Sequence, residues 1–156
     1  MIIGNRGVVA NGVGKIQTNG LRNGKMKQLQ IINKLNQLDV FGHLTETTNI
    51  YEHYDCYNDN YLIEIKSRQR EYNPWLIEKY KYDINYRQAT KEKKLFIYVT
   101  EYKTRIIAWN ITDLTNSGYN FNWQTKQQPE TTEFYLQEPI PKRVGYLLEQ
   151  FGKILR

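Results

Sequence analysis

The chain is poor in the residues that staple small proteins together or bind soft metals. Of its 156 residues one is cysteine, Cys56, and two are histidine, His43 and His53. A lone thiol excludes an intramolecular disulfide, a four-cysteine iron–sulfur site and a zinc ribbon. Two histidines are thin material for a histidine-based metal centre. His43 and His53 read as ordinary loop and strand residues, with His53 sharing Asp55's strand face as a candidate outer-layer group. No apolar run approaches the ~18 residues needed to cross a bilayer, and mean hydropathy is -0.72. Only Met1, Ile2 and Ile3 precede Gly4, too few for the apolar core of a signal peptide. The expectation is a soluble cytoplasmic protein with no membrane partner.

What is present points to one domain with a basic surface. Apolar residues make up 40% and there are 13 tyrosines, enough for a single core rather than a disordered polymer. The formal net charge of +6 favours a polyanionic partner. Residues 1–25 stand apart, with six of the ten glycines, four basic side chains and no acid. They lack the side chains of a core and read as a glycine-rich basic arm able to touch phosphates. Gly12-Val13-Gly14-Lys15 is not a phosphate loop. That motif needs glycine at position 9 and Ser or Thr at 16, where Val9 and Ile16 stand.

From residue 26 to 156 the pattern reads as one α/β (α+β) domain, with a mixed central sheet flanked by helices. Leu29, Ile31, Ile32, Leu35 and Leu38 form a helical stripe, stopped by Asp39 and Gly42. Thr45 to Tyr57 reads as one or two strands, and Asn58-Asp59-Asn60 as a turn. Tyr61 to Lys66 is a strand with Ile63 and Ile65 on one face and Leu62, Glu64 and Lys66 on the other. Asn73-Pro74 has the signature of a helix start, with Leu76, Tyr80 and Ile84 as the inward stripe. Lys94–Thr100 and Arg105–Ile111 are strand runs. Beyond this core, about 26–111, an appendix follows: a loop over Asp113–Pro129, a short strand at Phe134–Leu136, and an amphipathic helix opening at Pro141. Val144, Leu147, Leu148, Phe151 and Leu155 would form that helix's apolar face and a possible homo-oligomer interface.

The chemistry sits in Asp55-Cys-Tyr-Asn-Asp-Asn-Tyr-Leu-Ile-Glu64-Ile-Lys66. A two-residue turn at Asp59-Asn60 places Asp55 directly opposite Glu64, and opposed hairpin residues share a face with Cβ atoms about 5 Å apart. Lys66 shares that face. Two close carboxylates repel and need a cation, and hard oxygen ligands suit Mg²⁺, with Mn²⁺ as substitute. The Ile65 carbonyl is a further candidate ligand. Lys66 could orient or deprotonate water and offset charge on a phosphorane-like transition state. Glu92-Lys93-Lys94 and Glu101-Tyr102-Lys103 repeat the Glu-x-Lys pattern without an Asp on a preceding hairpin arm. The competing reading is a cross-strand charge cluster on a solvated sheet face.

Helix, strand with Asp55, strand with Glu64-Ile65-Lys66-Ser67-Arg68, helix and strand: this order over about residues 26–111 resembles the PD-(D/E)XK nuclease superfamily. The resemblance implies an αβββαβ restriction-endonuclease-like core, Mg²⁺ and phosphodiester hydrolysis, with Asp55, Glu64 and Lys66 as catalytic residues. Asp55, Glu64 and the Ile65 carbonyl would hold the metal. Three departures stand out: Cys56 follows Asp55, Tyr54 replaces the nominal proline before it, and the first helix carries no acid, leaving Glu46 and Glu52 as substitute ligands, with Glu52 pointing away from Asp55's face in a regular strand. Arg68, Arg70, Lys79, Arg87, Gln88 and Lys91 would hold DNA phosphates, and Trp123 is the aromatic best placed to meet a base. The resulting expectation is a small DNA endonuclease, homo-oligomeric in the manner of phage-type, homing or junction-resolving enzymes. The alternatives are a non-catalytic nucleic-acid-binding domain of the same fold, and a structural or inhibitory interaction protein.

Overall fold

The computed structural model describes residues 27–130 and 138–155. The basic arm and the strand expected at Phe134–Leu136 lie outside the described residues. Residues 27–38 form helix α1, which buries Ile31, Ile32 and Leu35. Leu29, at the margin of that stripe, stays 42% exposed. The helix gives way to positive-φ backbone at Asp39 and Gly42.

The chain then runs β1 (Thr45–Glu46), β2 (Cys56–Tyr57), β3 (Tyr61–Arg68), β4 (Trp75–Glu78) and α2 (Lys79–Glu92). It continues through β5 (Leu95–Tyr102), β6 (Arg105–Asn110), α3 (Ile111–Asn116), β7 (Gln124–Gln128), β8 (Ile140–Leu147) and β9 (Lys153–Leu155). Six strands make a mixed sheet in the order β1-β2-β3-β5-β6-β9, and β4-β8-β7 make a second sheet. Within the larger sheet β3 and β5 are parallel and every other neighbouring pair is antiparallel. A parallel pair needs a crossover, and the segment between β3 and β5 supplies it through β4 and α2.

Period-two alternation divides β3 between two cores. Ile63 and Ile65 pack with Ile31, Ile32 and Leu35 of α1 on one side. Leu62 packs on the other with Trp75, Ile77, Ala89, Phe96, Tyr98, Trp109 and Leu147. The second cluster draws on both sheets and α2, which fixes the small sheet and the helix over the face that carries Glu64. Both Trp75 and Trp109 are core residues, as their apolar runs suggest.

Four local expectations are corrected. Asn73-Pro74 is a cis peptide leading into β4, and α2 begins only at Lys79. Trp75, Leu76 and Ile77 are all buried, so both faces of that short run are covered, as a strand between two layers requires. Tyr80, expected inward, is 59% exposed; Asn85 and Ala89 are the buried residues of α2. The segment from Pro141 is strand β8, a single 3₁₀ turn and β9, not a helix. Its apolar residues meet different neighbours: Leu147 pairs with Trp75, and Leu155 with Ile106. Finally, Asp113–Pro129 is not all loop, since it holds most of α3 and all of β7. The supposed appendix is therefore integral, contributing β9 to the large sheet and two strands to the small one.

Candidate active site

The hairpin forms as the turn chemistry requires. Asn58 Oδ1 accepts the backbone N–H groups of Asn60 and Tyr61, each at 2.9 Å, and Asn58 N–H bonds the Tyr61 carbonyl at 3.1 Å. Its amide Nδ2 also donates to the Phe41 carbonyl at 2.7 Å, anchoring the turn to the loop after α1. The ladder pairs Cys56 with Ile63 and Tyr57 with Leu62. Carried one step further, that register sets Asp55 opposite Glu64.

Asp55 closes the short β2 arm in a particular way. Its N–H donates to the Ile63 carbonyl at 2.8 Å, and its carboxylate Oδ2 accepts the Ile65 N–H at 2.6 Å. The side chain thus takes the place of a ladder carbonyl where the strand has ended. The N–H and C=O of one strand residue point the same way, so the Ile65 carbonyl is directed to the edge on which the Asp55 carboxylate lies.

Glu64 is 1% exposed, and both its oxygens are engaged. Lys66 Nζ lies 3.2 Å from Oε1 and Lys81 Nζ 3.2 Å from Oε2. Lys81 also donates to the His53 carbonyl at 2.9 Å, which Asn85 Nδ2 shares at 3.1 Å. His53 therefore enters through its backbone, while its ring stands edge-on to Tyr80. Lys81 and Asn85, one turn apart on α2, form the helix's contribution to the site.

The electrostatics follow from this crowding. Burial, then the neighbouring Glu64 charge, push the Asp55 carboxyl up to about 7. The Ile65 N–H, Lys66 and Lys81 oppose that rise without cancelling it. Burial alone would lower Lys66, but Glu64, Tyr98, Glu78 and Asp55 together hold its ammonium above the ordinary lysine range. Lys66 is thus a firm cation and no ready base in this state, which favours a charge-stabilising role over proton abstraction.

Of the basic residues expected to hold phosphates, only Arg68 is fixed near this face. Its guanidinium donates to the Leu76 carbonyl at 3.0 Å and the Tyr98 hydroxyl at 3.2 Å, and it lies 5.4 Å over the Tyr72 ring. Arg70 and Arg87 are exposed. Lys79 pairs with Asp83 and covers the rings of Tyr82 and Trp123, on the flank of α2 away from Lys81. Gln88 is bonded to Glu92. Trp123 stacks on Phe121, 5.2 Å between centroids, and turns inward rather than out to a base. Neither substitute carboxylate meets the pair. Glu46 is opposite Cys56, on the α1 face, and Glu52 lies near the Tyr54 hydroxyl, which burial and then the Glu52 charge push up.

No protein-family model, curated protein or solved structure matches this chain. The site is therefore read on its own chemistry. Among the described residues no three His, Cys, Asp or Glu side chains come together as a ligand set. Side chains supply two carboxylates, and the Ile65 carbonyl a third hard oxygen. That set could hold a Mg²⁺ ion completed by water and a phosphate oxygen, and a cation there would relieve the repulsion from Glu64 that adds to burial in pushing the Asp55 carboxyl up. Lys81 was not foreseen. Its one sequence signal is a lysine four residues before an asparagine on the first helix after the strand motif.

Proposed function

We propose that the chain is a Mg²⁺-dependent nuclease that hydrolyses phosphodiester bonds in DNA, with Mn²⁺ as a substitute. The observation that carries this is the convergence of Asp55, Glu64 and Lys66 at the open end of the β2–β3 hairpin. The order α1, β1, β2, β3, β4, α2, β5, with β3 parallel to β5, supports the PD-(D/E)XK resemblance, β4 being an additional strand that pairs in the second sheet. Asp55, Glu64 and the Ile65 carbonyl would hold the cation, which when bound supplies Lewis-acid activation of water and of a phosphate oxygen. Lys66 stays protonated and meets the charge that grows on the phosphate. Lys81 orients Glu64 and ties the helix to the His53 carbonyl.

On this reading the protein acts on DNA in the cytoplasm as a homo-oligomer. The C-terminal helix once expected to supply an interface does not exist. Support for self-association comes instead from edge strand β9, with Ile154 46% exposed and Phe151 50% exposed beside it. One observation favours a second reading, a non-catalytic nucleic-acid-binding domain: both Glu64 oxygens already hold ammonium partners, so the cluster is satisfied without a metal.

The two readings separate on supercoiled, linear and branched DNA incubated with Mg²⁺, Mn²⁺ or EDTA. The nuclease reading expects metal-dependent cleavage by the parent, lost by about 10²-fold or more in Glu64→Ala and Lys66→Ala. DNA affinity should stay within a few-fold, since one lysine contributes about one counterion to binding. Cleavage by both variants at the parental rate would refute the site. A parent inert on every substrate would leave the binding reading.

A further inference from the structure

The second sheet carries a feature that the proposed chemistry does not use. Beside β8 lies a recess of about 370 Å³ lined by Pro74, Tyr119, Asn120, Asn122, Gln124 and Tyr146, with Leu148 at its rim. Its size suits a small planar ligand, since ligand pockets start near 300 Å³. The lining is unusual in having no charged side chain, three carboxamides and two tyrosines. Alternation along 119–124 explains it. Phe121 is buried and Trp123 half-buried against the core, which turns Asn120, Asn122 and Gln124 outward.

Some of these groups are committed and others are open. Tyr119 is saturated, donating to the Tyr146 carbonyl at 2.8 Å and accepting from Leu148 N–H at 3.1 Å, so its ring is a fixed wall. Gln124 Oε1 accepts from the Tyr146 hydroxyl at 3.2 Å, which orients the Gln124 amide and leaves its NH₂ as donor. Asn120 Oδ1 accepts the Asn122 N–H at 2.9 Å. Carboxamide edges between aromatic walls recognise the donor–acceptor edge of a nucleobase, and the aromatic faces stack on it.

One lysine, Lys126, stands beside the recess, while Lys142 is held by Glu78 at 3.4 Å and the Glu130 carbonyl at 2.9 Å. The register places Gln124 opposite Val144 and Lys126 opposite Lys142, so both lysines share the sheet face of Gln124 and Tyr146. Lys126 Nζ sits 5.0 Å over the Tyr146 ring. Tyr146 in turn is opposite Leu76, whose carbonyl holds Arg68 and Tyr98, and Tyr98 is opposite Glu64. The recess is thus linked to the strand that carries Glu64 through β4 and β5, across the Tyr98–Leu76 hydrogen bond between the two sheets.

We infer that this recess binds an unpaired nucleobase, with Lys126 on the flanking phosphate, and selects single-stranded nucleic acid for the Asp55–Glu64 site. The inference rests on the nuclease reading for the role of that site. A base within a duplex cannot enter the recess, whereas a single strand can combine stacking with backbone contacts.

The test is fluorescence binding by the full chain, with Ca²⁺ replacing Mg²⁺ to suppress cleavage. Probes are a DNA strand carrying one 2-aminopurine, its RNA counterpart, and the same sequence as duplex. Single strands should bind with altered 2-aminopurine fluorescence. Gln124→Ala and Asn122→Gly should each weaken that binding at least about fivefold, with duplex affinity unchanged; glycine suits the positive φ of 51° at Asn122. Thr125→Ala, on the opposite sheet face, should match the parent. The DNA and RNA probes tell which sugar the site accepts. Single-strand affinity and fluorescence indifferent to both variants would overturn the base pocket, and persistent Mg²⁺-dependent cleavage would then leave the nuclease reading standing. Absence of binding to every probe, with no cleavage, would remove both.

Discussion

Asp55→Asn isolates what crowding two carboxylates does to stability. The folded-state pKa of Asp55 is raised from 3.8 to about 7 by burial and by Glu64. A raised pKa means that the protonated form is favoured in the folded state. The stabilisation it brings is fully present below about pH 4 and is lost as pH rises through about 7. At 1.36 kcal/mol per pH unit the ceiling on that loss is about 4 kcal/mol. Asparagine keeps an oxygen for the Ile65 N–H and offers an NH₂ to Glu64, so it mimics the protonated acid. Urea denaturation of parent and variant in EDTA from pH 4.5 to 8.5 reads the effect. The variant should gain on the parent steadily up to about pH 7 and then level off, by 1 kcal/mol or more. Added Mg²⁺ should narrow the gap at pH 8 by stabilising the parent alone. A stability difference that is flat with pH, or that favours the parent above pH 7, would refute the electrostatic description of the site.

Lys81→Met should lower stability by about 1–3 kcal/mol in chemical denaturation, because the buried Glu64 loses one of its two ammonium partners and the His53 carbonyl one of two donors; an unchanged midpoint would show that the Lys81 contact has no energetic weight. Gly152→Ala would put a Cβ 2.7 Å from Ile107 and 2.8 Å from the Trp109 indole, an overpacking cost of about 1–3 kcal/mol that thermal unfolding would register. Removing residues 1–25 should weaken DNA binding and flatten its salt dependence, each lost phosphate contact reducing the log–log slope by about 0.9. An unchanged slope would mean that the arm does not touch DNA.

The central hairpin was legible because its determinants are local. Asn58 supplies the turn, period-two alternation fixes the faces of β3, and the two together leave one register that buries Ile63 and Ile65. Runs of β-branched and aromatic residues likewise announced β5 and β6. The misreadings share a different cause. Val144, Leu147, Leu148 and Phe151 fall at helical spacing, yet Gly145 and Tyr146 between them face a tryptophan and a recess that lie far away in the chain. Trp75-Leu76-Ile77 reads as helix after proline until β8 is known to lie alongside. Lys81 was hidden for a related reason. A polar residue on a helix looks solvated unless the carboxylate that draws it inward, here 17 residues earlier, is already placed.

Charge balance gives these placements a common logic. With Asp55 and Glu64 ionised, Lys66 and Lys81 bring the cluster to neutrality. Glu78 and Lys142, 3.4 Å apart, form a further self-cancelling pair behind Lys66. On the proposed reading, a bound divalent cation and one phosphodiester leave a single positive charge unmatched. The second negative charge that develops on a pentavalent phosphorus meets it, so the site is better matched to the transition state than to the bound substrate. Lys81→Met removes one positive charge from that sum and leaves both proposed metal-ligand side chains in place. It should therefore depress kcat more than KM, because the matching that it disturbs exists only as charge builds on the phosphate. An increase in KM with kcat intact would instead assign Lys81 to ground-state binding of the nucleic acid.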